Sequence, residues 1–269
     1  MMELLKIIRS ENLKIYQRKS TLVMMGLLGL LGCYSAISGR INPLFEQSLW
    51  SAVGGGTWLF SFITIFTMIV AAGIVANEFN WGTIKLLLIH PISRAKLLLG
   101  KYLAILLFGI ALTLLLLGFS LAINTVWYGL KLAGLTGEPS GVLPSASTPN
   151  AFNSFGGVLW LYLLKYVDVI VYGTFAFMLS ALSKSNALTI GVSLLVMILG
   201  PELTNYLFTN SSWGKYVFFT HLDLAKYFGP NVGQFTGMSF QLSALVLFFY
   251  VMAFNIIAWL IFTKRDVLN

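Results

Sequence analysis

The chain has 269 residues, of which 58% are hydrophobic and 10% are charged. This composition and a mean hydropathy of +0.85 exclude an ordinary soluble domain and are typical of an integral membrane protein. The formal net charge of +8 would suggest nucleic-acid binding in a soluble protein. No nucleic-acid motif accompanies that charge, so we attribute the excess of Lys and Arg to membrane topology and to contact with anionic lipid headgroups.

Residues 1–20 predict an amphipathic helix at the inner membrane surface. Five basic residues occur in this segment, and one side of the helical wheel is apolar. The apolar side consists of Leu4, Leu5, Ile8, Ile15 and Tyr16. The alternative is a plain basic terminus that only orients the first span, and both interpretations keep this end in the cytoplasm.

Six apolar runs reach the length of about 20 residues that a helix needs to cross the hydrocarbon core. They are Thr21–Ser38, Thr57–Ala76, Lys101–Trp127, Val158–Leu182, Ala187–Leu207 and Gln241–Phe262. We therefore predict an all-α integral membrane protein in which residues 1–269 form a single transmembrane domain of six helices.

The connecting segments predict the topology. Residues 77–100 are basic and should lie in the cytoplasm, whereas Gly54–Gly56 should form a turn outside. Residues 128–157 are rich in Gly, Ser, Pro and Asn and predict a flexible external loop. With this arrangement 12 of the 17 Lys and Arg residues lie inside, 4 lie outside and one lies within span four. The bias places both termini in the cytoplasm.

The cytoplasmic segment 77–100 contains two helix signals. Trp81–Ile89 predicts a short surface helix that ends before Pro91, because the residue preceding a proline is disfavoured in the α region. Ser93 is predicted to cap a new helix that leads into span three.

Span five contains an irregularity at Gly200-Pro201-Glu202. This tripeptide follows about 14 apolar residues, too few to cross a membrane at about 1.5 Å per residue. An aromatic-rich stretch follows, and aromatic rings suit the headgroup layer. We therefore predict that residues 201–240 form short helices that dip into the outer leaflet from the external side.

The sequence lacks the signatures of several active sites. Gly100-Lys101 has neither the upstream glycine nor the following Ser or Thr of a phosphate-binding loop, so no ATP site of that kind is expected. His90 and His221 fall on opposite sides of the predicted membrane, and Cys33 is remote from both. We therefore expect no metal site, no Cys–His nucleophile and no bound cofactor in this chain.

Lys165 and Asp168 are predicted to form an ion pair inside span four, because residues three apart are neighbours on one helix face. Intramembrane charges are costly, so the pair allows a proton or ion relay. No second intramembrane acid continues such a relay, and a mutually neutralised structural pair is favoured. For Glu202, at the outer break of span five, a gating role and a role at the helix end are equally supported.

Taken together, the pattern resembles the membrane subunits of ATP-binding-cassette exporters, specifically the type-2 permease family. The resemblance depends on a basic N-terminal helix, six spans, and a motif-bearing segment between spans two and three. That segment carries Glu78, Gly82-Thr83, Leu86-Leu87, Pro91, Ser93-Arg94 and Gly100-Lys101. The stretch 218–224 also resembles one found before the last span of bacterial members.

The resemblance implies that segment 77–100 contains a coupling helix that contacts a nucleotide-binding subunit. The residues expected at that contact are Glu78, Trp81, Gly82, Thr83, Lys85, His90, Arg94 and Lys184. By the same analogy, spans two and five would line the substrate path. The residues expected in the path or its gate are Phe62, Phe66, Met197 and Glu202.

The implied assembly contains two separate ATPase subunits, which bind ATP and Mg, and a second copy of this chain or a related permease. The chain itself is then a transport subunit and not an enzyme, located in the bacterial plasma membrane. The expected cargo is an amphipathic peptide, such as an antimicrobial peptide, an antibiotic or another hydrophobic compound. Two alternatives remain open, namely a proton-coupled secondary carrier centred on Lys165 and Asp168 and a non-transporting membrane sensor subunit.

Overall fold

The computed structural model describes residues 2–41, 49–80, 93–133, 152, 154–183, 185–210, 216–228 and 239–264. In these ranges every regular element is helical. Six of the helices are long and apolar enough to cross a membrane, which confirms the predicted number of spans.

The long helices are named here in chain order. They are the N-terminal helix Met2–Tyr16, span one Lys19–Ile41, span two Phe60–Asn80, span three Arg94–Ala133, span four Phe155–Leu182, span five Asn186–Asn210 and span six Phe240–Lys264. Two shorter pieces, the helix Leu49–Gly55 and the 3-10 helix Gly56–Leu59, precede span two. The helix Phe218–His221 and the 3-10 helix Leu224–Phe228 precede span six.

Span two occupies the centre of the bundle. Of the 18 most apolar consecutive residues in the helical stretch Leu49–Glu78, 78% are buried inside the protein. The corresponding share is 17–22% in spans one, five and six. Spans one, five and six therefore present most of their apolar surface outward, to lipid or to a neighbouring subunit. Span two packs chiefly against span four. Small residues permit this close approach, since Ala71, Ala72 and Ala76 are fully buried.

Serine side chains cap the starts of two spans. Ser93 Oγ accepts a hydrogen bond from Lys96 N at 3.4 Å, and span three begins at Arg94, which confirms the predicted cap. At span four, Ser154 Oγ accepts from Gly157 N at 3.1 Å.

Two boundaries differ from the prediction on the side predicted to be external. The predicted turn Gly54–Gly56 is instead helical and mostly buried, because the piece Leu49–Gly55 packs into the bundle through Val53. Span three continues to Ala133 and so extends beyond the start predicted for the external loop 128–157. Residues 134–151 of that loop lie outside the described ranges.

Span five also continues past its predicted break, through Pro201 to Asn210. The glycine before the proline is needed for packing. A Cβ atom at Gly200 would lie only 2.5 Å from Phe219 Cδ1, so the ring of Phe219 occupies the space that a larger residue would need. The short helices predicted for residues 201–240 are present at Phe218–His221 and Leu224–Phe228, but they begin later than expected.

Candidate functional site

A buried group of three charged side chains lies at the predicted cytoplasmic end of spans two and three. Lys101 has no exposed surface, and its Nζ atom lies 2.5 Å from Glu78 Oε1 and 3.1 Å from Glu11 Oε2. We call Glu11, Glu78 and Lys101 the Lys101 cluster. It joins the N-terminal helix, the end of span two and the first turns of span three.

Hydrogen bonds to Lys101 and Glu11 complete the cluster. Lys101 Nζ also donates to the backbone oxygen of Ile74 at 3.4 Å, so all three of its donors have acceptors. Glu11 Oε1 is 2.6 Å from Lys14 Nζ at the protein surface. One buried ammonium group thus lies between two carboxyl groups, and charge-assisted bonds of this kind are stronger than neutral ones.

The N-terminal helix packs against span three through the face that carries Glu11. Ile7 and Ile15 lie one turn to either side of Glu11, and both are buried. The two helices approach so closely that a Cβ atom at Gly100 would lie 2.5 Å from Ile7 Cγ2. This face shares Ile15 with the predicted apolar side, whereas Leu5 of that side is 59% exposed. The helix is therefore part of the bundle, and its contact with the membrane stays a prediction.

Of the residues predicted to contact an ATPase, the structure describes Glu78 and Arg94. Glu78 belongs to the Lys101 cluster. Arg94 Nη1 donates to the backbone oxygen of Thr263 at 3.2 Å and so satisfies a carbonyl group at the end of span six. The others lie outside the described residues, and they are Trp81, Gly82, Thr83, Lys85, His90 and Lys184.

The pKa of Glu11 makes the docking of the N-terminal helix sensitive to pH. Burial raises this pKa, but the charge of Lys101 and the hydrogen bonds from Lys14 and Lys101 outweigh burial, so the pKa lies below its ordinary value. Because the folded-state pKa is depressed, the stabilisation by Glu11 is fully present above about pH 4.3, the ordinary glutamate value. It is lost as the pH falls further, through the folded-state pKa.

We therefore expect the thermal unfolding temperature of the detergent-solubilised protein to fall below about pH 4.3. The fall should be smaller in Glu11→Gln, which cannot gain that proton. Glu78 also faces Lys101, so Glu78→Gln is measured in parallel to separate the two carboxyl groups. Equal pH profiles for wild type and Glu11→Gln would contradict the assignment.

A second charged group lies in the first half of span four, towards its predicted external end. Lys165 Nζ is 2.6 Å from Asp223 Oδ1, and the backbone N–H of Asp223 donates to Asp168 Oδ1 at 2.9 Å. The prediction that Lys165 pairs with Asp168 is therefore wrong in its partner. Both span-four side chains hold Asp223, which has a left-handed backbone with φ of 61°.

A hydrogen-bond network attaches the segment 216–228 to span six. His221 and Ser243 are fully buried, and His221 Nδ1 lies 2.8 Å from Ser243 Oγ. The hydroxyl group of Tyr227 lies 2.5 Å from the same Ser243 oxygen. The short helices Phe218–His221 and Leu224–Phe228 are thus held on span four by Asp223 and on span six by His221 and Tyr227.

The predicted path or gate residues are only partly brought together. The rings of Phe62 and Phe66 lie 6.4 Å apart on span two, and Phe66 is buried. Met197 on span five packs against the apolar core, whereas Glu202 is exposed. Among the described residues, no group of three His, Cys, Asp or Glu side chains could hold a metal ion.

Six apolar helices with a largely apolar outer surface, in which the charged groups of Lys101 and Lys165 are ion-paired, define a multi-pass helical membrane protein. The chain belongs to the family described as protein of unknown function (DUF2705), which matches residues 34–268.

Two proteins of Bacillus subtilis (strain 168) are similar over nearly their whole length. The uncharacterized protein YhcI is 31% identical, and the match covers 99% of this chain and 100% of the relative. The uncharacterized membrane protein YdbK is 25% identical, and the match covers 95% of this chain and 99% of the relative.

Proposed function

We propose that this chain is the transmembrane permease subunit of an ATP-driven exporter, with both termini in the cytoplasm of a bacterial cell. It would pair with a second copy of itself or a related permease, and with two separate ATPase subunits that bind ATP and Mg. An amphipathic peptide, an antibiotic or another hydrophobic compound is the proposed cargo, which suits a bundle with few buried charges.

The observation that supports this proposal best is the Lys101 cluster. Glu78 lies just before residues 81–92, and Lys101 lies just after them. The ion pair between these two side chains therefore clamps together the two ends of the segment that resembles a coupling helix. A force applied to that segment by a partner would move spans two and three, and the docked N-terminal helix, as one body.

The proposal is tested by purifying the tagged chain from native membranes and identifying the retained proteins by mass spectrometry. The double variant Trp81→Ala with Lys85→Glu is the informative one, because Glu78 and Arg94 have internal partners whose loss would disturb the fold. Its matched control is Lys131→Glu, a charge reversal on the side predicted to be external.

We expect wild type and the Lys131→Glu control to retain an ATPase subunit that carries a phosphate-binding loop. Retention should fall at least several-fold in the double variant. If wild type retains no ATPase in mild detergent, the exporter proposal fails. Transport without such a partner, abolished by Asp168→Asn, would favour the proton-coupled carrier, and ATPase binding without any substrate flux would favour the sensor subunit.

A further inference from the structure

The hydroxyl group of Ser180, on span four, is inserted into the backbone of span two. Ser180 Oγ donates to the backbone oxygen of Ala72 at 2.6 Å. It accepts hydrogen bonds from the backbone N–H groups of Val75 at 3.2 Å and Ala76 at 3.0 Å. Ser180 is fully buried, so the hydroxyl group uses its one donor and two acceptor sites without water.

The bonds to Ala72 and Ala76 fall on one rung of the helix, and the N–H of Val75 belongs to the rung before it. In a regular α-helix the N–H of Ala76 donates to the carbonyl oxygen of Ala72. Here both atoms of that rung bind the same hydroxyl group. Insertion of a side chain into the backbone ladder is an established cause of a local bend in a helix. Span two stays helical from Phe60 to Asn80, so these bonds attach its turn Ala72–Ala76 firmly to span four.

The same turn also contacts the Lys101 cluster. Lys101 Nζ donates to the backbone oxygen of Ile74, and Glu78 follows Ile74 by one turn. Ser180 of span four thus bonds two N–H groups and one carbonyl group of this turn. Lys101 of span three bonds another of its carbonyl groups. Glu78 lies two residues beyond Ala76, so the position of its carboxyl group depends on how these two attachments hold the preceding turn.

We propose that Ser180 is a positioning residue, which sets the direction of the last turns of span two and so places Glu78 on Lys101. The geometric role concerns the cluster itself and holds with or without an ATPase partner. Its importance for coupling rests on the proposed function.

The test needs a reporter for the docking of the N-terminal helix. Ile7→Cys with Gly100→Cys, in a Cys33→Ala background, provides one that we call the docking crosslink. An ideal Cβ atom at Gly100 lies 3.3 Å from Ile7 Cβ, close to the separation of about 3.8 Å in disulfides. The rate of oxidative crosslinking in membrane vesicles then measures how well the helix is docked.

We expect Ser180→Ala to slow the docking crosslink several-fold and to lower the thermal unfolding temperature by several degrees. Ser193→Ala is the matched control, because Ser193 is equally buried but its hydroxyl group has no hydrogen-bond partner among the described residues. That substitution should leave both measurements at their wild-type values. An equal response to the two serine substitutions would overturn the proposal.

A double-mutant cycle with Glu78→Gln separates positioning from simple packing. If Ser180 acts through Glu78, then Ser180→Ala should slow crosslinking little further in a protein that already carries Glu78→Gln. Additive effects would show a purely structural bond between spans two and four and would also overturn the proposal. Ser180→Cys, which keeps the volume but bonds weakly, supports the same cycle by thermal unfolding if the alanine variant does not fold.

Discussion

Replacing Lys101 with methionine should lower the free energy of unfolding by about 3–5 kcal/mol, the cost typical of removing one partner from a buried ion pair. Methionine preserves most of the side-chain volume, so little of the loss comes from a cavity. The substitution leaves Glu11 and Glu78 facing each other without the ammonium group that both contact. We expect a large fall in the thermal unfolding temperature and near-complete loss of the docking crosslink.

Two further variants identify the cause of that loss. Lys14→Met removes the other lysine bound to Glu11, but this side chain is 52% exposed, so the cost should be at most about 1 kcal/mol. Combining Lys101→Met with Glu11→Gln and Glu78→Gln removes all three charges and should recover most of the stability. Wild-type stability in Lys101→Met alone would show that the cluster does not hold the N-terminal helix.

Replacing Lys165 with methionine should cost about 1–3 kcal/mol, the range for leaving a largely buried acceptor without its partner. The value is smaller than for Lys101 because the Lys165 and Asp223 side chains are 21% and 30% exposed. Thermal unfolding in detergent measures the loss. An engineered cysteine at Leu224, which is buried in wild type, should also become reactive to an impermeant thiol reagent in Lys165→Met.

The matched rescue for Lys165→Met is Asp223→Asn. Asparagine removes the charge that has lost its partner, and it tolerates the left-handed backbone at this position better than most residues do. Restored stability and restored protection of Leu224→Cys would show that the unpaired charge is the cause. Lys226→Met serves as the surface control, because Lys226 is exposed and forms no ion pair within the described part of the chain. No response in Lys165→Met, or no rescue by Asp223→Asn, would contradict the role of the pair.

The sequence predicts those features of this fold that depend on local patterns. The six spans follow from the length of the apolar runs, and the cap at Ser93 follows from its position between Pro91 and an apolar stretch. Both signals are contained within a few consecutive residues. Local patterns were misleading at Pro201, where the helix continues to Asn210 and where Phe219, from a segment further along the chain, packs on Gly200.

The charged sites were only partly predictable because their partners are distant in sequence. Lys101 begins the third apolar run of the sequence, and nothing in that run predicts its burial against Glu11, which precedes it by 90 residues. Lys165 was paired with its neighbour Asp168, whereas its partner is Asp223, 58 residues later. Glu11 is one of two acids in the basic N-terminal segment, the other being Glu3, so the sequence does not single it out as the partner of Lys101. Nothing in the sequence around Ser180 indicates its insertion into span two.

The 90 residues between Glu11 and Lys101 also determine the order of assembly. At about 5–20 residues per second, a ribosome needs roughly 5–18 s to add them. During this interval the face of the N-terminal helix that carries Ile7, Glu11 and Ile15 has been synthesised but its partner has not. The cluster can therefore close only after spans one and two have been made and span three has begun to insert. A docked N-terminal helix then indicates that the first three spans have inserted in the correct arrangement.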